Sequence, residues 1–85
     1  MKIKSLKDAK ALVEELINNP EKTILLFDTE TANCRISIEP DTDFDDYCYI
    51  KYEDTVNGTE YTRNEYRSDV VREIYNHRKT VNALN

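Results

Sequence analysis

The chain has 85 residues, 39% hydrophobic and 34% charged, with one Gly, two Pro and a formal net charge of −5. This balance suits one domain with one modest core, and it excludes a disordered tail, a flexible linker and a glycine-rich phosphate loop. No apolar run approaches the roughly 20 residues that span a bilayer, and Met1-Lys2-Ile3-Lys4-Ser5-Leu6 leads into a charged amphipathic pattern rather than a signal-peptide core, so a cytoplasmic location with no membrane partner is expected.

Ser5 with Asp8 three residues on reads as a capping-box-like helix start. Leu6, Ala9, Val13, Leu16 and Ile17 recur at steps of three and four, and Leu12 widens the stripe. An amphipathic helix is predicted over about residues 6–18. Asn18-Asn19-Pro20 stops it, because proline lacks the N–H and restricts its predecessor. Thr23-Ile24-Leu25-Leu26-Phe27 is a short apolar run, predicted as a central strand buried on both faces. Cys34, Ile36 and Ile38 alternate with Arg35, Ser37 and Glu39, the period of a half-buried strand. Thr31-Ala32-Asn33 joins these two strands as a first hairpin.

Pro40 to Asp46 is predicted to be an acidic loop, with Phe44 tucked inward as its anchor. Tyr47 to Val56 reads as a strand, and Asn57-Gly58 as a two-residue type I′ turn. That turn places Val56 opposite Thr59, Asp54 opposite Tyr61 and Tyr52 opposite Arg63. Cys48, Ile50, Tyr52 and Val56 then share the core face, and Tyr49, Lys51, Glu53 and Thr55 the other. A last helix, capped by Asn64 or Ser68, carries Val70, Val71, Ile74, Tyr75, Val81 and Leu84. The expected fold class is α+β: an N-terminal helix, an antiparallel sheet of three to four strands in two hairpins, and a C-terminal helix, in one domain over residues 1–85.

Negative charge is concentrated in the middle of the chain. Residues 28–60 hold Asp28, Glu30, Glu39, Asp41, Asp43, Asp45, Asp46, Glu53, Asp54 and Glu60 against only Arg35 and Lys51. Such a field repels a phosphate backbone and attracts a basic surface. Direct nucleic-acid binding is therefore not expected, and a basic protein partner is. Six tyrosines without a tryptophan exceed what a small core can hold. Beside carboxylates, exposed tyrosines serve interfaces; the alternative is cross-strand pairing that only stabilises the sheet.

Several short patterns bear on chemistry. Cys34 and Cys48 read as small half-buried hydrophobes of a reducing compartment, and with His77 the only histidine a structural zinc site lacks its ligands. His77 also has no recognisable nucleophile or carboxylate partner in sequence. Asp41-x-Asp43-x-Asp45 resembles the opening of an EF-hand loop, but Asp46 stands where Gly makes the turn and Tyr52 where a bidentate Glu closes it. Leu25-Leu26-Phe27-Asp28-Thr29-Glu30-Thr31 resembles the first motif of the DEDD-type 3′–5′ exonucleases, in which Asp-x-Glu at a strand end holds divalent metals. Ala32-Asn33 replace the glycine that usually follows, Tyr66-Arg67-Ser68-Asp69 is one residue short of the third motif, and that fold needs roughly twice this length. No catalytic residue, metal or cofactor is expected.

As a whole the chain is similar to the small acidic phage-encoded inhibitors of host defence, the anti-CRISPR proteins in particular. Some of these likewise place a helix before a three-stranded sheet with acidic loops and end in helices. The shared features are Ser5–Asn18 as opening helix, Thr23–Arg63 as sheet, and Asp41–Asp46 with Glu53-Asp54 as acidic loop and rim. The resemblance implies a non-catalytic, DNA-mimic type of inhibitor that blocks a CRISPR or other nucleic-acid-processing enzyme of the host cell at a basic surface. The residues expected to meet that partner are Asp41, Asp43, Asp45, Asp46, Tyr49, Glu53, Asp54 and Glu60. The alternatives are a metal-dependent exonuclease-like remnant built on Asp28 and Glu30, and a generic interaction module whose acidity serves solubility.

Overall fold

In the computed structural model, which describes residues 2–85, helix α1 (Leu6–Asn18) begins where the sequence places it. The Asp8 N–H donates to the Ser5 hydroxyl at 3.3 Å, and the Lys4 N–H donates to the Asp8 carboxylate at 2.9 Å. Asp8 thus has its own N–H, one that the helix leaves unpaired, satisfied by the cap, while its carboxylate takes the N–H of the residue before the cap. Ala9, Leu12, Val13, Leu16 and Ile17 are buried along one face. Leu6, the first residue of the expected stripe, lies half exposed at its end.

Four strands follow: β1 (Ile24–Asp28), β2 (Asn33–Pro40), β3 (Tyr47–Asp54) and β4 (Thr59–Tyr66). They form an antiparallel meander in the order β1-β2-β3-β4. Helices α2 (Arg67–Asn76) and α3 (Arg78–Leu84) close the chain. The fold is α+β, with α1 on β2, α3 on β1 and α2 against α1 and β4. Ile36, Ile38, Cys48, Ile50 and Tyr52 point into this helix layer, as their alternation requires, and meet Leu16, Val70, Ile74 and Val81 in one core. Each such side chain contributes on the order of 1.5–3 kcal/mol through burial.

The structure departs from the expectations in five places. Strand β1 is at the edge of the sheet rather than its centre: Ile24 and Leu26 are buried, but Leu25 is only half covered and Phe27 is exposed. Its outer edge is satisfied by a side chain from far along the sequence. The Leu25 N–H donates to Asn85 Oδ1 at 3.0 Å, and Asn85 Nδ2 donates to the Leu25 carbonyl at 2.9 Å. Asn82 treats Ile3 in the same way, at 2.7 and 3.0 Å.

The second hairpin is shifted by two residues. Asp54 pairs with Thr59, Tyr52 with Tyr61 and Ile50 with Arg63, which makes Thr55-Val56-Asn57-Gly58 a four-residue turn and leaves Val56 exposed. Asp54 causes the shift: its Oδ1 accepts the Val56 and Asn57 N–H groups at 3.0 and 3.1 Å, the side-chain turn that Asp favours. Only Gly58 has positive φ, at 69°, whereas a type I′ turn requires two such residues. A two-residue shift preserves strand parity, so Cys48, Ile50 and Tyr52 keep the core face.

Phe44 is not an inward anchor but is 63% exposed. Asp41 anchors the loop instead. Neither Asn64 nor Ser68 caps the last helix; Tyr66 is the N-cap, without a side-chain bond. That helix is also broken at His77, whose N–H is shared between the Glu73 and Ile74 carbonyls at 3.1 Å. The break turns α3 onto β1, burying Val81 while Leu84 stays largely exposed.

Candidate protein-docking site

Folding a meander from the acidic middle of the chain sorts its ten carboxylates into two groups. Asp28, Glu30, Glu53, Asp54 and Glu60 lie where both hairpin turns are, at one end of the sheet. Glu39, Asp41, Asp43, Asp45 and Asp46 lie at the other, around the loop between β2 and β3. Strand β3 separates the two ends by roughly 23 Å at about 3.3 Å per residue. The eight residues expected to meet a partner therefore do not form one patch. The structure brings Asp41, Asp43, Asp45, Asp46 and Tyr49 together, and places Glu53, Asp54 and Glu60 apart from them.

At the turn end, Asp54 and Glu60 are engaged within the chain, whereas Asp28, Glu30 and Glu53 form no salt bridge among the described residues. Asp54 accepts from the Asn33, Val56 and Asn57 N–H groups and from Asn57 Nδ2. These bonds, the Asn57 side chain first, hold its pKa below the ordinary value. Glu60 pairs with Lys51 at 3.3 Å, and Glu53 lies across from Arg35. Asp28 and Glu30 are exposed on the first hairpin, where Thr29 and Ala32 close the turn through a 2.8 Å backbone bond. Among the described residues, no three of His, Cys, Asp and Glu gather as a cation site.

The loop end is different. Asp41 is buried and structural: its carboxylate accepts the Asp43 and Phe44 N–H groups at 2.9 and 3.2 Å and Asn64 Nδ2 at 2.9 Å. Those bonds lower its pKa, the Asp43 N–H most. The loop is fixed at its far side by the Arg67 N–H, which donates to the Asp46 carbonyl at 2.8 Å. On this rigid frame Asp43, Asp45 and Asp46 are exposed, with no salt bridge among the described residues.

Beside them runs an aromatic row. Phe44 meets Tyr47 edge-on at 5.9 Å between centroids, and Tyr47 lies against Tyr66 at 4.3 Å. Tyr66 is 50% and Tyr49 42% exposed, and both belong to the sheet face that no helix covers. The Tyr47 hydroxyl is held above its ordinary pKa, chiefly by the Tyr66 side chain, so it remains a neutral donor at physiological pH. The surface combines rigid aromatic area with unpaired negative charge, the composition of a protein-binding hot spot for a basic partner. Phe44, Tyr47 and Tyr66 were not among the residues expected to meet a partner. Parity puts Tyr47 on the face of Tyr49, and the expected register already set Tyr66 on that outer face, near-opposite Tyr49; the true register sets it opposite Tyr47.

A second cleft, of about 290 Å³, gathers Cys34, His77, Glu73 and Tyr52. His77 Nδ1 is 2.8 Å from the Glu73 carbonyl oxygen and therefore carries a proton, and the Tyr52 hydroxyl donates to Glu73 Oε2 at 3.1 Å. Burial, then Glu73 and Asp54, push the Cys34 thiol up. A protonated thiol is a poor nucleophile. No helix among the described residues is long and apolar enough to cross a membrane. No protein-family model matches the chain, no curated protein matches it, and no solved structure does.

Proposed function

We propose that this protein is a small acidic inhibitor that acts by docking, without catalysis, on a basic, nucleic-acid-contacting surface of a host enzyme, in the manner of an anti-CRISPR or DNA-mimic protein. The observation that carries the reading is the loop end of the sheet, where Asp43, Asp45 and Asp46 surround an exposed Phe44 that leads into the Tyr47–Tyr66 pair. Carboxylates held on a rigid loop offer a basic cleft the charge it normally finds in phosphates, and they steer the encounter. The aromatic row supplies apolar contact that a nucleic acid backbone lacks. Together they favour a protein partner whose groove is both cationic and partly apolar.

The test is DNA cleavage by guide-loaded CRISPR nucleases of several subtypes, titrated with the intact protein. Inhibition of at least one is expected, lost when Asp43, Asp45 and Asp46 are all changed to Lys and retained when Asp28 and Glu30 are changed to Ala. Inhibition that survives the triple reversal contradicts the docking surface. Absence of inhibition across the subtypes removes the CRISPR assignment. Degradation of the DNA by the protein itself, abolished by Asp28→Ala, would establish the exonuclease alternative.

A further inference from the structure

Next to the acidic loop lies its chemical opposite. A groove of about 720 Å³ runs between α1 and α2. Leu6 and Val71 line its apolar part, and Lys7, Lys10, Arg67 and Arg72 surround them against only Glu14 and Asp46. None of the four cations forms a salt bridge among the described residues, and Arg67 Nε is buried without a hydrogen-bond partner. The chain therefore displays two unsatisfied and complementary features: an acidic loop tipped by Phe44, and a basic groove with an apolar floor. Asp46 belongs to the loop and also lines the groove, so the two are neighbours on one surface and cannot close on each other within one chain.

We infer that the groove receives the Asp43–Asp46 loop of a second copy of this protein, forming a reversible two-fold dimer in which each Phe44 enters the partner's groove. The adjacency of loop and groove is what a two-fold axis requires. One rotation places both loops in both grooves and leaves nothing open for further growth. The groove has room for a phenyl ring and the turn that bears it. The partner's carboxylates then reach Lys7, Lys10 and Arg72, which form no salt bridge among the described residues of the free chain. A nucleic acid is the weaker fit, because the apolar floor gives a phosphate backbone no contact and the acidic loop beside it repels one. Two small loop insertions fall at the low end of interface size, and two chains of −5 repel each other overall. The dimer is accordingly weak.

This inference does not depend on the identity of any host partner, although such a partner would compete for the same loop. Sedimentation equilibrium of the intact protein, from micromolar to millimolar concentration, tests it. Wild-type protein is expected to self-associate, and Phe44→Ala, an exposed site whose loss leaves the core intact, to weaken the association about tenfold or more. Lys7→Glu/Lys10→Glu and Asp43→Lys/Asp45→Lys should each be monomeric alone and form a heterodimer when mixed, since the swap restores complementarity at both contacts. A wild type that stays monomeric throughout, a dimer unaffected by Phe44→Ala, or failure of the two charge variants to pair overturns the proposal. A monomeric wild type whose Lys7 and Arg72 NMR signals shift with an added acidic, phenylalanine-containing peptide would assign the groove to another protein instead.

Discussion

Asp41 and Asp43 stand two positions apart and do opposite work. Asp43 leaves its carboxylate in solvent, whereas Asp41 spends its charge on the Asp43 and Phe44 N–H groups and on Asn64. Acceptance of those bonds favours the ionised form and lowers the folded-state pKa. Its stabilising contribution is therefore full above the ordinary aspartate value of 3.8 and is lost as pH falls through the lower folded value. Asp41→Asn keeps one acceptor but sets an amide against the Asn64 amide. The variant is expected to melt several degrees below wild type at neutral pH, the gap closing as the solution is acidified. A gap that persisted unchanged in acid would show that the carboxylate charge is not what orders the loop. Glu65, whose pKa is raised by burial, works the other way, so the comparison between variant and wild type is informative where the absolute melting curve is not.

At the scale of elements, what the sequence discloses depends on how local the deciding interaction is. Helix α1 is legible from end to end because its stripe, its Ser5 cap and its proline stop are all within twenty residues of one another. The inward faces of β2 and β3 are legible for the same reason, being a matter of alternation. The hairpin register is not, because Asn57-Gly58 is a strong signal that competes with Asp54 three residues earlier, and the Asp54 side chain prevails. In that turn Gly58 alone needs the left-handed region, and a Cβ there would meet nothing within 4 Å. Gly58→Ala is thus predicted to cost about 1–2 kcal/mol from backbone strain alone, measured by urea unfolding, with Gly58→Asn costing less. A neutral Gly58→Ala would mean the turn relaxes to another type.

The edge position of β1 was illegible for a different reason. Its apolar run looks central, and what completes its open edge is Asn85, sixty residues away and beyond a helix break at His77. The same device at Ile3 and Asn82 predicts a specific loss: Asn82→Ala should destabilise by about 1–2 kcal/mol and speed hydrogen exchange at the Ile3 amide, with β3 amides much less affected. Equal acceleration everywhere would show that α3 docks through Val81 alone. The opposite edge, β4, has no such cover. It is kept from pairing with other chains by charge, with Glu60, Arg63 and Glu65 along it.

For the whole molecule, the charge run that composition displays as one acidic segment becomes two poles once the meander folds, and the loop end is the pole whose free carboxylates, Asp43, Asp45 and Asp46, flank exposed aromatic residues. The candidate site was half legible: Asp43, Asp45, Asp46 and Tyr49, and the outer-face place of Tyr66, follow from charge and parity, while the exposure of Phe44 required the loop anchor and the Tyr47–Tyr66 pair the true register. The turn-end carboxylates look equivalent in sequence and differ only in their internal partners. Surface charge that steers a partner is screened by salt, and rigid aromatic residues hold what has been steered, so both should be needed.

The proposed docking of a basic host protein on the loop end of the sheet can be read by capture from a bacterial lysate with immobilised wild type, Phe44→Ala and the Asp43/Asp45/Asp46→Lys triple variant, each verified as folded, and quantified by mass spectrometry at low and high salt. Wild type is expected to retain a basic nucleic-acid-processing enzyme, both variants to lose it, and high salt to weaken its retention. Equal retention of the same proteins by all three, insensitive to salt, would contradict it.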